Sequence, residues 1–294
     1  MKGRVVLGLV SIAVLFSCAS GAKVSENKTY EITEEKIFIT QGAYQIPAIV
    51  TLPVGANGQK FSAVVMLHGY ASDKDEAGGG YKICAPELAK QGIASIRIDF
   101  FGTGESTVDY LEYDLDSAVA NTDCAFDYLK TLKTVDATRI GVMGWSMGGT
   151  VALLAAGKNT AYKSVLTWAG ATDLNGAVFT PAAYEIAVKN GFYEATFDWR
   201  TPLNILLKAF EIARDTDVLA IFSKSEAPVF ALAGTLDDTV LPENAAKIAA
   251  TSKNPKSKSF LIEGADHTFN IFTGNMECFT ILTAETINWF LETL

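Results

Sequence analysis

The stretch Arg139-Ile140-Gly141-Val142-Met143-Gly144-Trp145-Ser146-Met147-Gly148-Gly149 runs from an apolar, β-rich segment into the alanine-rich residues 150–156. Its pattern predicts a strand, one sharp turn and a helix, with Ser146 at the turn. A hydroxyl held there is exposed at the end of a strand, which makes Ser146 a candidate nucleophile. Such a turn brings the chain close to itself, and Gly144 and Gly148 supply the small residues it needs.

On both sides of this elbow, strand-like and helix-like segments alternate. Residues 37–40 and 46–52 read as a β-rich entry, followed by strands at 62–67, 93–98, 140–144 and 164–169. Amphipathic segments at 81–91, 113–132 and 150–156 read as the intervening helices. Continuously apolar strands separated by helices predict a mostly parallel sheet covered on both faces. The alternation stops after Gly170 and resumes with a strand at 228–233, a helix at 243–250, a strand at 259–262 and a helix at 278–291. The intervening segment, about 172–226, holds Phe179, Tyr184, Phe192, Tyr193, Phe197, Trp199, Phe210 and Phe222. Those aromatics are unexpected in a solvated connection. They predict a cap whose rings line the substrate site.

A serine needs a base, and the chain has two histidines, His68 and His267. On an elbow of this type the acid and then the histidine follow the serine in the chain, which selects His267. The acid is expected on the loop after strand 228–233, where Asp237 is chosen and adjacent Asp238 is the alternative. Asp266, beside His267, is expected to brace its loop. The oxyanion needs two backbone donors, for which Met147 N–H and Tyr70 N–H are the candidates. His68 is then expected to shape the turn that carries Tyr70.

With 294 residues, 49% hydrophobic and 19% charged, the chain suits one large globular domain or a domain carrying an insertion. Its net charge is −9 and it offers no basic cluster to follow a phosphate backbone, which argues against a nucleic-acid partner. Cys84, Cys124 and Cys278 are widely spaced and form no Cys-x-x-Cys pair, so they read as small buried hydrophobes. Lys2 and Arg4 followed by an apolar run at 5–16 predict an export signal over 1–17, with residues 18–36 as a tether. Leu15-Phe16-Ser17-Cys18 resembles a bacterial lipobox, which implies lipidation of Cys18 and a membrane anchor. Cleavage after Ser20-Gly21-Ala22 is the alternative, leaving a periplasmic or secreted protein.

Residues 62–69, the stretch Arg97-x-Asp99-x-x-Gly102-x-Gly104-x-Ser106, the elbow, residues 234–242 and Gly264-Ala265-Asp266-His267 together resemble the α/β-hydrolase superfamily. Within it the chain is similar to the cinnamoyl and feruloyl esterase-like branch. The resemblance spans nearly all of residues 37–294. It implies an α/β-hydrolase fold with a cap before the acid-bearing strand, and a Ser146-His267-Asp237 triad. It also implies hydrolysis of small-molecule or polysaccharide-linked esters through an acyl-enzyme, feruloyl-type esters among them, without metal or cofactor. The elbow is also similar to that of serine peptidases of the prolyl-oligopeptidase type, a rival reading. A non-catalytic binding protein built on the same scaffold is a third.

Overall fold

The protein is described by a computed structural model over residues 29–174 and 179–294. The expected signal segment, Cys18 and the start of the expected tether lie outside the described residues. The chain enters through β1 (Glu31–Gln41) and β2 (Tyr44–Val54), followed by β3 (Phe61–Leu67), α1 (Gly80–Lys90), β4 (Ile93–Ile98) and α2 (Leu115–Thr131). Next come β5 (Val135–Trp145), α3 (Met147–Lys158) and β6 (Val165–Trp168). The inserted segment contributes α4 (Pro181–Asn190), β7 (Phe192–Ala195), β8 (Leu203–Leu206), α5 (Leu207–Asp215) and α6 (Val218–Phe222). The alternation then resumes as β9 (Val229–Gly234), α7 (Glu243–Thr251), β10 (Lys258–Ile262) and α8 (Glu277–Thr293).

An eight-stranded sheet has the order β1-β2-β4-β3-β5-β6-β9-β10, and only β2 runs against the others. This is the α/β-hydrolase fold. Every residue of β3, β4 and β9 is buried, as strands covered on both faces require. The strand alternation divides the core in two. Val64 and Met66 face α1 and α8, with Tyr81, Trp145, Trp168 and Phe279 in the same cluster. Val65 and Leu67 face the opposite cluster, which includes residues of α2, α3 and α7. Asp114 caps α2 reciprocally: its carboxylate accepts from Ser117 N–H at 2.7 Å while its own N–H donates to Ser117 Oγ at 2.9 Å.

Two expectations change. β1 begins at Glu31, so residues 31–36 are strand rather than tether. In the inserted segment, the aromatics serve mainly as packing. Phe179, Phe210 and Phe222 are buried in the same cluster as α3, and Tyr184, Tyr193 and Phe197 pack against it. The reason lies in α3, Met-Gly-Gly-Thr-Val-Ala-Leu-Leu-Ala-Ala-Gly-Lys, which is apolar around nearly its whole circumference and needs cover on the side away from the sheet. The insert provides part of that cover. A Cβ on Gly157 of α3 would meet the carbonyl oxygen of Ile221 in α6 at 2.4 Å, so the two helices are in backbone contact.

Phe222, fully buried in α6, therefore belongs to the main core. Phe222→Ala is expected to cost about 3–5 kcal/mol in urea unfolding, the range for emptying a core phenylalanine site. A single cooperative transition should be retained, because the insert melts with the sheet.

Candidate active site

β5 ends at Trp145 and α3 begins at Met147, leaving Ser146 to make the whole turn, at φ 54°, ψ −119°. A non-glycine residue there stores strain on the order of 1–3 kcal/mol and persists only where its surroundings enforce it. They do so closely. A Cβ on Gly144 would lie 2.0 Å from the carbonyl oxygen of Gly148, and one on Gly148 would lie 2.1 Å from that of Leu67. Ser146 N–H donates to Trp168 O at 2.8 Å, pinning the elbow to β6.

The structure brings Ser146, His267 and Asp237 together. His267 Nε2 lies 3.1 Å from Ser146 Oγ, and its Nδ1 lies 2.8 and 3.1 Å from the two carboxylate oxygens of Asp237. Asp237 is buried and also accepts from the N–H groups of Thr239 (3.0 Å) and Val240 (2.8 Å), which fix its orientation. Asp238 is exposed, outside hydrogen-bonding reach of the imidazole. Asp266 accepts from Thr268 N–H, Thr268 Oγ1 and Asn270 N–H, bracing the histidine loop as expected. Burial opposes its charge, but those bonds outweigh burial and hold its carboxyl below the ordinary range. Trp145 Nε1 donates to His267 O at 3.1 Å, tying that loop to the strand beneath the serine.

Met147 N–H opens α3, where a helix's first amides have no intrahelical partner, and so it is available to an oxyanion beside Ser146. Tyr70 follows β3 in the facing loop. Gly69 is adjacent to the serine, since a Cβ on it would lie 3.4 Å from Ser146 Cβ. His68 is fully buried below: Nδ1 donates to Gly69 O at 2.8 Å while Nε2 accepts from Phe100 N–H at 3.2 Å. Burial also lowers its basicity, so it is a neutral turn-shaping residue.

Sequence reasoning missed Glu76 and Arg200. Gly69 N–H donates to the buried Glu76 carboxylate, whose other oxygen accepts from Ala77 N–H at 2.9 Å. Burial drives the Glu76 carboxyl up to about 7, although the bonds from Ala77, Gly69 and Ser72 favour its charged form. Arg200, from the insert, donates through Nη1 to Ala71 O.

Ser146 and His267 open into a cleft of about 1180 Å³. Its walls include Trp199 and Arg200 of the insert, Leu241 after the acid loop and Phe272 after the histidine loop. Of the eight aromatics expected to line it, Trp199 alone does so among the described residues. Trp199, Leu241 and Phe272 are well exposed at 66%, 52% and 68%, giving the cleft an apolar rim. Among the described residues no group of three or more His, Cys, Asp or Glu side chains is placed to hold a metal ion.

The prolyl oligopeptidase family pattern matches residues 84–294, which contain Ser146, Asp237 and His267. The chain belongs to the prolyl oligopeptidase family. It is thus a member of a hydrolase family, and the loop bearing Tyr70 lies before the matched region. None of the curated proteins matches the chain by sequence. Among solved structures, Est1E from Butyrivibrio proteoclasticus with bound ferulic acid is 21% identical with a TM-score of 0.70, over 87% of this chain and 98% of its own. A dienelactone hydrolase from Anabaena variabilis is 17% identical with a TM-score of 0.61, over 90% of this chain and 99% of its own. A hydrolase-like protein of Agrobacterium vitis is 19% identical with a TM-score of 0.69, over 88% and 99%. These likenesses concern the fold, which this prolyl oligopeptidase family member shares with all three.

Glu76 imposes a pH dependence on stability. Its folded-state pKa of about 7 exceeds the ordinary 4.5, so between those values the folded chain keeps a proton that the unfolded chain releases. Stability is therefore lost as pH rises through that window, by about 3 kcal/mol in total. Glu76→Gln has no such titration. Its stability relative to the wild type should rise by about that amount between pH ~4 and pH ~8, read from urea midpoints at both ends.

Proposed function

We propose that this protein is a serine hydrolase that cleaves carboxylic esters, free or carried on a polysaccharide, through an acyl-enzyme. The observation that carries this reading is the Ser146–His267–Asp237 relay at the base of the open cleft. Ser146 Oγ attacks the ester carbonyl as His267 Nε2 takes its proton. Asp237 keeps the imidazole in the required tautomer and stabilises its cation without taking the proton. The oxyanion receives hydrogen bonds from Met147 N–H and Tyr70 N–H. Collapse expels the alcohol, protonated by His267. Water then attacks the acyl-enzyme as His267 takes its proton, and His267 returns that proton to Ser146 Oγ as the acid is released, regenerating both residues. The apolar rim of Trp199, Leu241 and Phe272 favours substrates with an apolar or aromatic group, and ferulic acid bound to Est1E is consistent with feruloyl-type esters.

A second reading, peptide hydrolysis, is favoured by the family itself. It uses the same relay and differs in the leaving group. Aryl esters assayed beside aminoacyl anilides decide between the two: turnover confined to the anilides would overturn the ester assignment. Ser146→Ala and His267→Ala should each lower turnover by roughly 10⁴-fold while remaining folded. Asp237→Asn should be severely impaired, whereas Asp238→Asn should stay within about twofold of wild type, as for an exposed residue away from the reacting atoms. A fluorophosphonate probe that labels the wild type but not Ser146→Ala would exclude a non-catalytic scaffold.

We also propose that the protein acts outside the cytoplasm, held to a membrane by acyl chains on Cys18. Metabolic labelling with a fatty-acid analogue should tag the wild type and not Cys18→Ala. Three acyl chains would give firm retention, far beyond the marginal binding of one. An unlabelled, soluble wild type cut after Ala22 would overturn the anchor.

A further inference from the structure

The three residues Gly69-Tyr70-Ala71 are flanked by well-anchored chain. Upstream, His68 is fixed between Gly69 O and Phe100 N–H. Downstream, the buried Lys74 ammonium pairs with Asp99 at 2.7 Å and Asp75 pairs with Arg97 at 3.0 Å, binding residues 74–75 to the end of β4. Glu76, next in the chain, reaches back to Gly69 N–H. The far end of the segment has a different partner. Ala71 sits at φ 59°, in the left-handed region, and its carbonyl accepts from Arg200. An alanine in that region is strained by about 1 kcal/mol or more, so its conformation depends on the contacts that hold it.

Arg200 is itself well prepared for that contact. Its Nε donates to Thr201 O at 3.3 Å, and its guanidinium carbon lies 5.9 and 6.0 Å from the ring centroids of Phe197 and Trp199. Phe197 also lies against Tyr70, with ring centroids 5.7 Å apart. The insert therefore holds the loop at two successive residues, by ring packing at Tyr70 and by hydrogen bonding at Ala71. Ala71 O shares its peptide plane with Ser72 N–H, which donates to Gly69 O at 3.3 Å, and Gly69 O shares its plane with Tyr70 N–H. Holding Ala71 O therefore braces the turn that, together with the 2.8 Å bond from His68 Nδ1 to Gly69 O, directs Tyr70 N–H.

We propose that Arg200 is a positioning residue for the oxyanion hole: by holding Ala71 O, it braces the 69–72 turn that directs Tyr70 N–H and makes the insert a working part of the catalytic site. The proposal rests on Tyr70 N–H being an oxyanion donor, as in the ester-hydrolysis reading. It assigns Arg200 a role in the transition state rather than in substrate affinity. Losing one oxyanion donor outright costs about 10²–10³ in kcat, so misdirecting one should cost roughly 10- to 100-fold.

The test compares wild type, Arg200→Ala and Arg200→Lys on 4-nitrophenyl acetate and on a bulky neutral aryl ester, with Ser146→Ala alongside. The expected result is a similar fall in kcat on both esters with little change in KM. Ethylguanidinium added to Arg200→Ala should restore part of the lost kcat, while Arg200→Lys, unable to stack and donate together, should recover little. Affinity for an aryl trifluoromethyl ketone, which forms a tetrahedral adduct with the serine, should fall by about the same factor as kcat/KM. A rise in KM at unchanged kcat would make Arg200 a substrate contact and overturn the proposal. So would a loss of activity that follows the folded fraction at the assay temperature and ignores ethylguanidinium; Arg200→Lys at wild-type kcat would do the same. Should Ser146→Ala remain active, the site reading itself fails. If Ser146→Ala is inactive and Arg200→Ala keeps full kcat, only the role of Arg200 fails.

Discussion

The backbone of Ser146 is the constraint from which the rest of the site follows. A serine at φ 54°, ψ −119° is unfavourable in isolation, and the fold holds it there by crowding. Gly144 and Gly148 meet across the turn, Gly148 lies against the end of β3, and Ser146 N–H is bonded to β6. The first is local to the elbow, but the other two exist only when β3, β5 and β6 are aligned. Strain at Ser146 is thus supported by the cooperative sheet, and the same alignment sets the loops after β3, β9 and β10 around it. The relay is assembled from distant parts of the chain because parallel strands end together.

The sheet was legible in the sequence because its strands are buried on both faces, so residues 61–67, 93–98 and 229–234 are nearly uninterrupted apolar runs between turn residues. The elbow and Asp237 were legible for a related reason, each following such a strand, whereas His267, after the mostly exposed edge strand β10, was legible as the one histidine downstream of Ser146. The beginning of β1 was hidden by charge. Glu31, Glu34 and Glu35 read as a solvated arm, yet Glu34 pairs with the buried Arg97 of β4, and Thr51 Oγ1 donates to it. Burial opposes the charge of Glu34, but Arg97 and Thr51 together keep its pKa below the ordinary value.

The insert was legible as an insert but not in its use. Its strands have four residues each and one of its helices has five, too short for periodicity to report which face is inward. Aromatic residues announce that something is buried, not whether the partner is a ligand or a neighbouring helix. Glu76 escaped notice because Ser72-Asp73-Lys74-Asp75-Glu76 has the composition of an exposed turn. Only the folded loop reveals that Lys74 and Glu76 point inward while Asp73 remains exposed.

The packing of the insert over α3 has a consequence for how this scaffold can diversify. A detachable lid could be exchanged freely between relatives, with the catalytic domain indifferent to its sequence. In this protein the same segment shields an apolar helix with one face and forms part of the cleft wall with the other, so a transplanted segment must satisfy both surfaces. Variation is then easiest at positions such as Trp199, exposed at the cleft mouth, and most constrained at Phe210 and Phe222. New substrate ranges would arise by changes along the rim of the insert while its underside is kept, a partition that directed evolution of this enzyme can exploit by randomising one face alone.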